Sequence, residues 1–145
     1  LGIVDPLLRI EHLYADLATL IRARERNPIF KYETGYMWSI EQGKDKGFHV
    51  HTAFFFNGAY VYSDWHKAVE IGELWKRITG GRGYAYRCND DKKKYLKLGI
   101  GTIKRADTLT CDNVVEAMSY LAKESQPPRI KPARARTSGT GQLRQ

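Results

Sequence analysis

Two runs, Gly35-Tyr36-Met37-Trp38-Ser39-Ile40-Glu41 and Phe48-His49-Val50-His51-Thr52-Ala53-Phe54-Phe55-Phe56, flank the charged, glycine-bounded segment Gln42-Gly43-Lys44-Asp45-Lys46-Gly47. Two extended apolar-rich runs around such a segment predict an antiparallel hairpin. Along a strand successive side chains alternate faces, so His49 and His51 share one face and Val50 takes the other. Glu41 ends the first run. If it opposes His49 or its neighbour in the ladder, its carboxylate joins the same face. Two imidazoles and one carboxylate make an open divalent-cation site with positions left for water or phosphate oxygens. The competing reading is two half-buried strand histidines beside a solvated glutamate.

Working outward from the hairpin, Asp5-Pro6 predicts a helix start, and Leu7, Leu13, Leu17, Leu20 and Ile21 recur at helical spacing up to Asn27-Pro28. Ile29–Tyr32 reads as a further strand before the hairpin. A second helix is expected from Ser63 or Asp64 to about Ile78, stopped by Gly80-Gly81. Gly83–Cys88 and Tyr95–Lys104 read as two more strands around the polar loop Asn89–Lys94. In the second of these, Leu96, Leu98 and Ile100 alternate with Lys97, Gly99 and Gly101. A last helix is expected from Thr110 or Asp112 to before Gln126-Pro127-Pro128. The order α β β β α β β α predicts an α+β layer fold, an antiparallel sheet of about five strands with helices on one face.

The 145 residues suit one domain with its own core. The longest uncharged apolar run, Thr52–Phe56, is far too short to cross a bilayer, which needs about twenty residues. No membrane partner is expected. Cys88 and Cys111 lack both a disulfide framework and metal-ligand spacing, so a reducing cytoplasm is the expected compartment. Leu1 stands where a start Met would, as in a fragment. Lys and Arg number 24 against 16 Asp and Glu, a net charge of +8 that favours polyanionic partners, nucleic acid above all. Five of those cations, Arg129, Lys131, Arg134, Arg136 and Arg144, lie in the tail 126–145, which has no acid. No phosphate-binding loop is present, because Gly43-Lys44 is followed by Asp45, so the chain carries no ATPase motor of its own.

The last helix holds a second anomaly. At 100° per residue, Val114, Val115, Met118, Leu121 and Ala122 form its apolar stripe, and Tyr120 falls on the opposite side beside Glu116 and Lys123. Lys123, three residues on, is expected on Tyr120's side. One reading is an amphipathic tyrosine at the sheet rim. The other is a phenol nucleophile, which is weak at neutral pH unless a cation or metal favours the phenolate. His12 and His66 have no partner nearby in sequence and read as structural or solvated. Lys92-Lys93-Lys94 reads as a solvated loop or a phosphate contact.

With these residues in view, the chain resembles the HUH single-tyrosine endonucleases. More closely it resembles the inovirus-type replication initiators, the filamentous-phage gene II-like group that includes the YagK/YfjJ C-terminal domain family of bacterial prophages. The stretches that carry the resemblance are Ser39–His51, Gly81–Asn89, Gly99–Ile103, Tyr120–Lys123 and Arg134–Gln142. They fall in the expected order over most of the chain.

The resemblance implies an RRM-like antiparallel platform, His49 and His51 as metal ligands, Glu41 as the third, Tyr120 as nucleophile and Lys123 as its basic helper. It implies a divalent cofactor, Mn²⁺ or Mg²⁺, and single-stranded or origin DNA as partner. Lys44, Lys46, Arg82, Lys97, Arg129, Lys131, Arg134 and Arg136 are the candidate phosphate contacts. Residues 1–125 would form the nickase domain, with 126–145 a basic tail that can finish it. The implied reaction is origin nicking for rolling-circle replication in a bacterial host cell, through a 5′-phosphotyrosyl link, with unwinding left to a host helicase. A transposase or relaxase would share the chemistry. A non-catalytic single-strand-binding module would not. Neither charge nor pattern sets an oligomeric state.

Overall fold

The computed structural model describes residues 6–43, 47–83, 85–123, 127–128 and 131–141. Helix α1 spans Pro6–Ala23, and its expected cap, Asp5, lies outside the described residues. The strands β1 (Glu33–Gly43) and β2 (Gly47–Phe56) pair antiparallel, with Glu41 opposite His49, Ser39 opposite His51 and Met37 opposite Ala53. Helix α2 spans Asp64–Ile78, its N-terminus capped by the Ser63 hydroxyl, which accepts from the His66 N–H. Helix α3 spans Thr108–Ala122. A short strand, β3 (Ser138–Thr140), pairs antiparallel with the other edge of β1.

The fold is α+β, but the sheet has three strands among the described residues, in the order β2-β1-β3, rather than about five. Ile29–Tyr32 is not a strand. Pro28–Phe30 form a 3₁₀ turn, because the Asn27 side chain accepts from the Ile29 N–H and Pro28 already has a helical φ at the first position. Among their described residues, Gly83–Cys88 and Tyr95–Lys104 do not pair into ladders either. Side chains take up this segment instead: Asn89 and Lys92 both donate to Asp64, and Asn113 donates to the Leu98 carbonyl. Leu96, read as one of the alternating apolar strand positions, is 99% exposed. The third strand comes instead from the basic tail.

The core gathers Leu20 of α1, Phe30 and Leu74 of α2, with Phe54, Phe56, Ile71, Trp75 and Ile78 packed against it. Burying Phe30 fully removes a large apolar area from water, roughly 1.5–3 kcal/mol. Phe54 and Phe56 are even-numbered positions of β2, so His49 and His51 face away from this core. Arg24 and Glu33 form a buried ion pair at 2.7 Å, and the Arg24 guanidinium lies 3.9 Å over the Tyr36 ring.

The start of α3 is earlier than its apolar spacing suggests. Asp107 caps it, accepting from the Thr110 N–H and the Thr110 hydroxyl. The expected stripe is only partly inward: Val114, Met118 and Leu121 are half-buried, whereas Val115 is 64% exposed and Ala122 is exposed too. The helix lies against β1. Gly99 fits there because any Cβ would meet the α3 backbone at Val114, 3.0 Å away.

Candidate metal centre and nucleic-acid surface

Extended backbone and hairpin register together build the first cluster. Glu41 and His49 are direct cross-strand partners, and His51 is two residues farther on the same face. The His49 Nε2 sits 3.2 Å and the His51 Nε2 3.1 Å from the same Glu41 Oε2. The two imidazoles meet edge to face with centroids 5.0 Å apart. One ligand atom from each residue lies within 4.8 Å of the others. The Glu41 side chain is 13% exposed and the histidines about 40%, so the cluster has a shielded base and an open mouth.

The donor set fits a divalent ion that keeps open positions: borderline nitrogen donors, one hard oxygen and access from solvent. A second observation agrees. Ser39 lies on the same face as Glu41, opposite His51, and its buried hydroxyl has no hydrogen-bond partner among the described residues. A buried hydroxyl without a partner costs about 1–3 kcal/mol, a cost that a bound ion or its water beside Ser39 would offset. Ser39 was legible from period 2 alone, as the position two before Glu41.

Tyr120 lies in the last turn of α3, is 66% exposed, and its hydroxyl has no partner among the described residues. Lys123 differs from expectation. The helix stops at Ala122, and Lys123 is its C-cap with ψ 122°, its N–H donating to the Ser119 and Tyr120 carbonyls. A shared helix face therefore does not place the amine beside the phenol. The structure brings Glu41, His49 and His51 together; Tyr120 stands on α3, an element neighbouring β1.

The candidate phosphate contacts divide. Lys44, Lys46 and Arg129 lie outside the described residues. Arg82 is held by Asp16 at 3.1 Å and Lys97 by Glu116 at 3.0 Å, so each brings a carboxylate that opposes a phosphate. The Lys131 ammonium donates to the Ala135 carbonyl at 2.8 Å. Arg134 and Arg136 are exposed and pair with no carboxylate among the described residues. The Arg136 carbonyl accepts from the Tyr14 hydroxyl, tying the tail to α1. Burial holds the Tyr14 phenol above its ordinary pKa.

Sequence reasoning missed the polar knot at the start of α2. Burial there raises the Asp64 pKa, but hydrogen bonds from Asn89 and Lys92 outweigh it, and the net shift is below the usual carboxylate value. Nearby, the Trp65 indole donates to Asp90 at 2.7 Å, and Arg87 also holds that carboxylate. Acids and bases distant in sequence gave no spacing signal for these contacts.

Among the described residues no helix is long and apolar enough to cross a membrane. A family model, that of the YagK/YfjJ C-terminal domain, matches residues 9–137. No curated protein and no solved structure matches the chain.

Proposed function

The chain belongs to the YagK/YfjJ C-terminal domain family, and from that membership and the Glu41–His49–His51 cluster we propose that it is a metal-dependent DNA nickase initiating rolling-circle replication. The observation that carries the reading is the convergence of three ligand atoms within 4.8 Å on one open strand face. The resemblance of His49–His51 and Tyr120–Lys123 to the motifs of HUH single-tyrosine endonucleases supports the reaction class.

A bound Mn²⁺ or Mg²⁺ would neutralise charge on the non-bridging oxygens of the scissile phosphate. Glu41, His49 and His51 would hold it. The Tyr120 oxygen attacks the phosphorus, and the bond to the 3′ oxygen breaks as the 5′-phosphotyrosyl bond forms. With its amine swung beside the phenol, Lys123 would take the phenol's proton and return it to the departing 3′ oxygen, which becomes the free hydroxyl that primes synthesis. One phosphoester replaces another, so rejoining needs no ATP, in keeping with the missing phosphate-binding loop. Unwinding is assigned to a host helicase. A transposase or relaxase role would keep every step and change only the DNA target.

The test is to incubate the protein with labelled single-stranded origin-like DNA and Mn²⁺, then run a denaturing gel. A protein–DNA adduct that needs both Mn²⁺ and Tyr120 is expected. Metal-independent binding without cleavage would instead leave a single-strand-binding module.

A further inference from the structure

At the end of the hairpin remote from Glu41, the surface turns aromatic. Tyr62 is 84% and Tyr60 59% exposed, an unusual amount of ring to leave in water. Tyr60 stacks on Tyr32 with centroids 4.6 Å apart and planes 12° from parallel, so the ring pair presents a ready flat face. These tyrosines line an open cleft of about 350 Å³ with Pro28, Lys31, His66 and Lys67. The cleft lining holds two lysines, one histidine and no carboxylate. Lys67 is engaged by the Ile29 carbonyl and by Glu70, whereas the exposed Lys31 pairs with no carboxylate among the described residues.

Flat aromatic faces beside one exposed lysine that no described carboxylate neutralises suit a ligand with a π-face and a negative charge together. A nucleotide has both. The cleft is also distinct from the Glu41–His49–His51 cluster. Tyr32 immediately precedes β1, and from Glu33 to Glu41 the strand advances eight residues, roughly 26 Å at about 3.3 Å per residue.

We propose that the Tyr32–Tyr60–Tyr62 cleft is a second, distal binding site for an unpaired nucleotide of single-stranded DNA, its base stacked on the tyrosines and its phosphate met by Lys31. The site rests on the reading of the chain as a DNA-binding protein and extends it: a strand would be anchored far from the scissile phosphate. Binding there would raise affinity without touching the reacting groups. Stacking tolerates any base, so the site would grip without selecting sequence.

The experiment measures the binding of fluorescein-labelled oligo(dT)₂₀, and of an abasic oligomer of the same length, to the full chain by anisotropy. Tyr62→Ala is expected to weaken oligo(dT)₂₀ by about 5- to 150-fold and the abasic oligomer hardly at all, with Tyr62→Phe close to wild type. Lys31→Ala should weaken both oligomers and lower the salt dependence by about one contact. Tyr62 has an exposed ring, so its variants are expected to melt like wild type, and a circular dichroism melt checks this. Wild type that binds neither oligomer would overturn the DNA reading and this site with it. Wild type that binds while Tyr62→Ala and Tyr60→Ala bind equally well would overturn the distal site alone and leave the rings to a protein partner. Equal losses on both oligomers would also overturn it, since bases would then not be what the rings hold.

Discussion

Ser39 stands directly opposite His51 in the β1–β2 ladder, and its buried hydroxyl lacks any hydrogen-bond partner among the described residues. Two residues on, Glu41 lies within 3.2 Å of both histidine nitrogens. One sheet face thus carries three ligand-type atoms and one unsatisfied hydroxyl.

The first prediction follows from that face. His51→Ala or Glu41→Ala should reduce Mn²⁺ affinity by well over tenfold in calorimetry, since each removes one of three donors. Ser39→Ala should cost about tenfold, the lower end of what partners outside the ligand set contribute. Without metal the same Ser39→Ala variant should melt no lower than wild type, because it removes an unsatisfied buried group. Equal Mn²⁺ affinity in wild type and His51→Ala would refute the site.

The second concerns the nucleophile. Tyr120→Phe should abolish cleavage and the protein–DNA adduct while leaving the melting temperature and Mn²⁺ affinity unchanged, because the ring stays and is largely exposed. Lys123→Ala should be milder, a loss of about 10²–10⁴-fold if its amine moves the proton. An adduct formed by the Phe variant would assign attack to another tyrosine.

Stability should depend on the Arg24–Glu33 pair. Its carboxylate is fully buried and the guanidinium nearly so. Removing one partner strands a charge in the interior, so Glu33→Ala should destabilise by about 3–5 kcal/mol in urea unfolding. By contrast, Arg82→Ala, which breaks an exposed pair with Asp16, should change stability by less than about 1 kcal/mol.

Among the described residues, Arg134 and Arg136 are the tail cations whose side chains are exposed and engage no carboxylate or carbonyl. Replacing both with Ala should lower oligo(dT) affinity regardless of sequence and flatten the salt slope by about 0.7 log units per lost contact. Deleting the whole tail is a poorer test, because Ser138–Thr140 also pairs with β1 and folding would change with it.

Acid sensitivity should trace in part to Asp64. Its folded-state pKa lies below the unfolded value, so the carboxylate favours the native state above the unfolded pKa of about 3.9. That contribution is lost as pH falls through the lower, folded pKa. Melting temperatures from pH 5 to pH 2.5 should therefore fall more steeply in wild type than in Asp64→Asn. On the alkaline side, a hydrogen bond with Cys88, aided by burial, pushes the Tyr95 phenol up to about 12. Its stabilising effect should persist below pH 10 and fade toward pH 12, and Tyr95→Phe should remove that trend.

Features that depend on local geometry were legible in the order of the residues. Period 2 put His49 and His51 on one face, the charged glycine-bounded segment set the hairpin, and Ser63 marked the start of α2. Helical spacing also placed the Tyr120 ring away from the apolar stripe, and the ring is 66% exposed. What the order of the residues could not settle was decided by contacts between distant residues. Alternating Leu96, Leu98 and Ile100 look like a strand, but a strand needs a ladder partner, and among the described residues β1 pairs with β2 and with β3 from the tail instead. Asp64, which opens α2, fixes Asn89 and Lys92, so the segment between α2 and α3 is held by side chains rather than by a ladder. A helix face shared by Lys123 and Tyr120 did not form because the helix ends at Ala122, three residues before the expected end ahead of Gln126. Periodicity reports which way a residue points once an element exists; only tertiary hydrogen bonding decides whether and how far that element forms.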